Sequence, residues 1–349
     1  MKEEMKQKAL SIIQGYDGEP IRIMEVCGTH THEIFRLGIR KLLPENVRLI
    51  SGPGCPVCVT PVGFIDEAVC LALDHHATIT TFGDLVRVPG TQKSLAGARA
   101  EGAKIQVVYA PMDAVAYAEK HPEEEVVFLS VGFETTTPSS CLAIEKAKEK
   151  GITNFSLLTA NKTMPTAYRM LKDSVDVYLY PGHVNAITGT ELCESLVEEG
   201  ISGVVSGFTP SELLSALAVA IKKGGEKKPF FANAYPRVVT KEGSVPAQKL
   251  VEAYMEPCDT IWRGLGEIPN SGMQLKEEHA AYDARKKFEL GHIVGKENKA
   301  CRCGEVLQGN ILPSECPCFG KACNPMHPVG ACMVSGEGAC SAYYQYGGQ

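Results

Sequence analysis

Two short cysteine motifs and a cysteine-dense tail hold the residue types in this chain that can do chemistry. In GPGCPVCVTP (52–61), Cys55 and Cys58 form a C-x-x-C pair just ahead of a helix start signalled by Thr60-Pro61. Free N–H groups at a helix N-terminus favour the thiolate, so the pair can cycle between dithiol and disulfide or bind a soft metal. Half of a zinc site is the alternative reading, and no second C-x-x-C follows nearby to complete it. In EVCGTHTHE, Cys27 ends an apolar run with Glu25, His30, His32 and Glu33 beside it, the residue types of a metal ligand set. Cys70, Cys141, Cys193 and Cys258 have no such company and read as inert thiols, and His75 and His76 read as surface or capping residues.

Seven of the 14 cysteines (301, 303, 316, 318, 323, 332 and 340) fall in the last 49 residues. The spacing Cys316-x6-Cys323-x8-Cys332-x7-Cys340, with Cys318 as an extra, suits a cubane cluster. Iron–sulfur ligation wants thiolates and tolerates long loops, whereas structural zinc usually sits on two tight knuckles. Cys301-x-Cys303 with Cys316-x-Cys318 is the zinc alternative. Rich in Gly and Pro and poor in large aliphatics, the tail cannot build much core and is expected to need a metal centre to fold.

The elements that must position these residues follow one design. Apolar runs at 21–26, 47–51, 77–82, 105–110, 125–131, 155–159, 175–180, 201–206 and 229–235 alternate with small-residue turns and amphipathic stretches, which predicts parallel sheet. Nine strands exceed one ordinary sheet core. The expected fold is therefore α/β: two parallel-sheet, Rossmann-like units (1–122 and 123–235, dividing near HPEEE at 121–125, with strands able to cross between them), then a helical and Cys-rich iron–sulfur module (236–349). After Pro236 the reading is a helix over 245–256, an irregular segment around Trp262 and a charged helix over about 275–290. The turns at Cys27, Gly52–Cys55, Gly83-Asp84, Gly132–Glu134, Gly182-His183 and Gly207-Phe208 all follow strands, so they are expected to face one cleft at the carboxyl edge. Parallel pairing of the first two runs, about 4.8 Å apart, brings Cys27 and Cys55 to the same edge.

With 35 basic and 41 acidic side chains the net charge is −6, which leaves no electrostatic footprint for nucleic acid or anionic lipid. Neither is an expected partner. No G-x-x-x-x-G-K-[ST] or G-x-G-x-x-G occurs, so no nucleotide is expected either. The charged start MKEEMKQKALSIIQGY and the absence of an apolar run near 20 residues point to a cytoplasmic protein with no membrane span. There, thiols serve metals or redox chemistry better than structural disulfides.

As a set, EVCGTHTH, SGPGCPVCVTP, SVGFETTTP, YPGHV and ECPCFGKACNPMHPVGACMVSGEGACSAYY, spread from Glu25 to Tyr344, resemble the HypD family of hydrogenase maturation factors. The resemblance implies a scaffold with a redox role, rather than a free-standing turnover enzyme, on which the Fe(CN)2CO group of nickel–iron hydrogenases is assembled. It implies a HypC partner that joins in holding the iron and a HypE partner that delivers cyanide from a C-terminal thiocyanate. Carried onto this sequence, Cys27 is the iron-holding thiolate, with the metal facing Cys55 and His30 beside it in the motif. Cys55 and Cys58 are then the redox pair, Glu337 a functional carboxylate, and Cys316, Cys323, Cys332 and Cys340 the ligands of one 4Fe-4S cluster. The C-x-C at 316–318 leaves open which thiol ligates, and Cys316 is taken; Glu134 and His183 are further cleft candidates. The chemistry is coherent, because cyanide and carbon monoxide favour low-spin Fe(II) held by soft thiolates, and freeing cyanide from a thiocyanate sulfur is a two-electron reduction. An iron–sulfur thiol–disulfide oxidoreductase and a zinc-stabilised interaction protein are the other classes that share parts of these features.

Overall fold

In the computed structural model, which describes residues 2–291 and 293–347, every one of the nine apolar runs is a strand. They are β1 (Ile21–Glu25), β2 (Val47–Ser51), β3 (Thr78–Thr81), β4 (Ile105–Val107), β5 (Val126–Gly132), β6 (Phe155–Lys162), β7 (Val177–Pro181), β8 (Gly203–Ser206) and β9 (Phe231–Asn233). All pairings among these nine are parallel. A hairpin of β10 (Met255–Trp262) and β11 (Gly266–Leu275) adds an antiparallel edge. That segment was expected to be irregular, and the reason is its composition: Pro257, Pro269 and three glycines hide a strand whose burial follows no alternation. The charged helix expected at about 275–290 is instead a 3-10 turn (Glu277–Tyr282) and a short helix (Ala284–Lys287). Asp283 separates them, in extended conformation, its carboxylate accepting from Arg285 N at 2.9 Å.

The strands form two sheets, of order β2-β1-β7-β8-β9 and β10-β11-β6-β5-β3-β4. The chain leaves the first sheet after β2, lays down β3 to β6, and returns to place β7 beside β1. The point near 121–125 therefore falls inside the second sheet, between β4 and β5. Buried parallel strands all read as Val/Ile/Leu runs, so composition does not say which run pairs with which.

One face of the first sheet packs Ile21, Ile23, Val177, Leu179 and Val204 against the helices Lys2–Gln14 and Pro210–Gly224. The second helix starts on a capping box in which Glu212 Oε2 accepts from Thr209 N at 3.0 Å. The second sheet packs Val126, Phe128, Phe155 and Leu157 outward against the helices Pro111–Lys120, Thr137–Glu149 and Val245–Tyr254. Between the sheets lies a shared core of Met24, Ile50, Val127, Leu129, Tyr178 and Tyr180, which takes in Val57, Cys58, Trp262, Cys303 and Cys332. The tail is thus continuous with the core where its cysteines sit. Its last helix, Ala339–Tyr346, lies on the helix Gly28–Arg36, with Phe35 and Tyr343 edge to face at 5.6 Å. No helix among the described residues is long and apolar enough to cross a membrane.

Candidate functional site

The β1–β2 register, with Glu25 opposite Ser51, puts the turns after both strands at one sheet edge. They touch through backbone. A Cβ on Gly54 would stand 2.1 Å from Cys27 N, and Gly28 N donates to Gly54 O at 2.9 Å, so glycine at 54 is what permits the approach. Beneath them Arg40 donates to Ser51 Oγ at 2.9 Å and closely to Glu25, tying the two strand ends together. Cys27 stands at the N-cap of the helix Gly28–Arg36. Burial pushes its thiol up to about 12, Glu337 adding to the rise, while the N–H groups of His30 and Thr29 oppose it.

Two further turns of the same sheet join this edge. His30 Nε2 lies 3.0 Å from Gly207 O, a carbonyl that can only accept, so Nε2 carries the proton and Nδ1 is left buried without a partner. Burial lowers His30 to about 4 and keeps it neutral. His183 stacks on Phe208 at 3.9 Å, and the His30 ring lies 4.7 Å from the same phenyl. From the tail, Glu337 closes over the turn: Thr29 Oγ1 donates to its Oε1 at 2.6 Å, and a Cβ on Gly28 would meet its Cβ at 2.5 Å. Four of the six strand-end turns expected around one cleft, those after β1, β2, β7 and β8, therefore converge. Glu134, after β5, turns inward instead, where its Oε1 accepts from Met164 N at 2.8 Å, Oε2 has no partner, and burial raises the carboxyl to about 7. Asp84 lies in an exposed 3-10 turn opening toward Val107.

Behind Cys27 the thiols form a file. Cys55 caps the short helix Pro56–Val59, its sulfur accepting from Cys58 N at 3.3 Å. The helix Pro56–Val59, which carries Cys58, packs on the helix Ala331–Val334, which carries Cys332, and Cys332 Sγ lies 2.8 Å from Cys303 Sγ. Beside the Cys303 and Cys58 thiols, Cys332 is held below the usual thiol range, while those two are raised. Beyond them Cys301, Cys303, Cys316, Cys323, Cys332 and Cys340 line one small cavity with Val306, Phe319 and Met333. Cys318 does not line it; its thiol donates to Ala300 O at 3.2 Å. Among the described residues no group of three or more His, Cys, Asp or Glu side chains is gathered to hold a single metal ion. Cys301 and Cys303 entered the sequence reading only as a zinc alternative; their C-x-C spacing was the available signal, and the packing that brings Cys303 to Cys332 had none.

The fold and site define a cysteine-rich α/β protein, with one cysteine beside a C-x-x-C loop at the strand-end turns and a thiol-lined cavity behind them. More narrowly, the chain belongs to the HypD family: residues 3–347 match the family model described as HypD, hydrogenase formation hypA family. It is 41% identical over 343 residues to the hydrogenase maturation factor HypD of Cupriavidus necator, covering 95% of this chain and 90% of that one. It is 42% identical to HypD of Rhizobium leguminosarum bv. viciae, covering 93% and 88%. Against HypD of Escherichia coli K12 it is 41% identical, covering 99% and 94%.

Proposed function

We propose that this protein serves hydrogenase maturation as the scaffold on which the Fe(CN)2CO group is put together, with Cys27 holding the iron and the thiols behind it carrying the reducing electrons. The observation that carries this reading is the file of sulfur from the cysteine-lined cavity through Cys303, Cys332 and Cys58 to Cys55, next to the Gly54 that packs on Cys27. The cavity suits a 4Fe-4S cluster by its donor set, which offers several thiols, apolar walls and no carboxylate or imidazole. With Cys303 and Cys332 paired to each other, Cys301, Cys316, Cys323 and Cys340 remain to hold it, which exchanges the expected Cys332 for Cys301 and keeps Cys316 over Cys318. Bound there, the cluster would supply single electrons to the Cys303–Cys332 pair.

The chain's own steps balance as thiol chemistry. The Cys55/Cys58 dithiol gives two electrons and two protons to a partner thiocyanate, so that the S–CN bond breaks, the partner regains its thiol, hydrogen cyanide leaves and a Cys55–Cys58 disulfide forms. Cys303 and Cys332 return that pair to dithiol by exchange, becoming the disulfide themselves. Cys27 must lose its proton to bind iron, and its high pKa makes the metal the group that drives ionisation. A HypC-type partner would complete the iron's coordination, and a HypE-type partner would present the thiocyanate at the exposed side of the Cys27 turn. A cytoplasmic setting, where thiols stay reduced, fits this use.

The test is the infrared spectrum of the protein copurified with its small partner. CN and CO stretches are expected in the wild type and absent in Cys27→Ala, which should keep its fold and the brown colour of the cluster. Full bands in that variant would return Cys27 to a packing role. Steady turnover of a disulfide substrate without partners would favour the thiol–disulfide oxidoreductase instead.

A further inference from the structure

Arg263 sits in the turn that joins β10 to β11, where its backbone N–H donates to Val59 O at 2.8 Å. Its side chain is 5% exposed, yet its guanidinium makes no hydrogen bond to any described residue. Nη1 is buried without a partner, and the carboxylate of half-exposed Glu297 stands 3.9 Å from Nε, beyond hydrogen-bond distance. A buried cation that no protein group satisfies is costly, and an anion from outside would remove that cost. There is room for one, because Arg263 lines a cavity of about 480 Å3 with Val62, Pro89, Lys296, Glu297 and Val329. Two of the segments that wall it are held together at Thr91: Lys296 N donates to Thr91 Oγ1 at 2.8 Å, and Thr91 N donates to Asp66 Oδ1 at 2.7 Å. The charged groups on the lining are Arg263 and Lys296 against Glu297, two cations against one carboxylate, and the walls at Val62, Pro89, Pro328 and Val329 are apolar. This cavity shares no lining residue with the one that gathers the tail cysteines.

We propose that this cavity is a binding site for a small monocarboxylate, whose two oxygens accept from the Arg263 guanidinium while its apolar body lies on Val62, Pro89 and Val329. The planar fork of arginine matches a carboxylate in shape, and a mostly apolar pocket with a few convergent polar groups is how small-molecule sites are built. Charge sets the class of ligand. One positive charge in excess balances a monoanion, whereas a dianion such as hydrogen phosphate would be left with a surplus negative charge beside Glu297. The inference does not depend on the redox reading above.

The experiment titrates benzoate, as the probe, into the full-length protein prepared without air and reads binding by saturation-transfer NMR. The wild type is expected to bind with a Kd on the order of 1 mM, and inorganic phosphate to compete at least about tenfold more weakly. Arg263→Gln should weaken benzoate about tenfold or more. Lys296→Gln, at an exposed position, should weaken it about two- to threefold. Glu297→Gln, which removes the opposing carboxylate, should tighten it at least about twofold. Benzoate that does not bind the wild type, or that binds a folded Arg263→Gln protein as tightly, overturns the inference. Phosphate that displaces benzoate at or below the Kd of benzoate overturns the assignment to a monocarboxylate. Should Arg263→Gln fail to fold, the two other variants decide, since a Kd unmoved in both overturns the site.

Discussion

The close approach of the two strand-end turns makes Gly54→Ala a sharp perturbation. The added methyl carbon would stand 2.1 Å from Cys27 N and 2.4 Å from Cys27 Cα, so it must retreat by about 1.3 Å to reach ordinary contact. Both obstacles are backbone atoms of a turn held on β1, and no side-chain rotation relieves them. Overpacking of this kind costs about 1–3 kcal/mol. Parting the turns also breaks the bond from Gly28 N to Gly54 O, now 2.9 Å, at about 1 kcal/mol. A loss of roughly 2–4 kcal/mol is expected, read as a lower urea midpoint, together with faster alkylation of Cys27 as its turn lifts from the Gly54 backbone. Gly83→Ala is the matched control: it too follows a strand, but the nearest atom to its Cβ is Val107 Cγ1 at 3.8 Å, so its midpoint should hardly move. A Gly54→Ala protein as stable as Gly83→Ala, with Cys27 still protected, would refute the claim that these turns are packed backbone to backbone.

Glu134 and His30 give pH slopes of opposite sign in the iron-free protein. With its folded pKa raised to about 7, Glu134 contributes stability that is complete at low pH and lost as pH rises from about 4.5 through 7, roughly 3 kcal/mol in all. His30, lowered to about 4, loses a similar amount as pH falls from about 6.5, because only the unfolded chain takes up the proton in that window. The two nearly cancel between about pH 4.5 and 6.5, so Glu134→Gln should expose the acid loss and His30→Asn the loss toward neutral pH; flat urea-midpoint profiles in both variants would show that neither group is buried as described. Cys303→Ser should leave a Cys55–Cys58 disulfide that is no longer reduced from within, seen by thiol trapping, and recovery at the wild-type rate would exclude Cys303 from the path. Glu337→Gln keeps an acceptor for Thr29 but removes a charge that raises the Cys27 pKa, so Cys27 should alkylate several-fold faster; an unchanged rate would mean that the carboxylate's field does not reach it.

Much of this protein is written locally. Each apolar run became a strand, because an apolar pattern acts over a few residues and is little altered by what packs later. The placement of Cys27 and Cys55 at one edge was also legible, since adjacent parallel strands in register carry their turns together. What the chain by itself left undecided is which distant segments meet. That β7 lies beside β1 and β5 beside β3, that Glu337 closes over Thr29 from 308 residues away, and that the Cys303 and Cys332 sulfurs meet across 29 residues are results of packing. So is the inward turn of Glu134, whose motif reads as a cleft residue while its carboxyl is drawn to the N–H of Met164. The physical reason is the same throughout. Buried strands of one composition fit several neighbours, and a thiol or carboxylate carries no local mark of its partner, so the choice falls to the arrangement that fills the space between the two sheets and satisfies the polar groups it encloses.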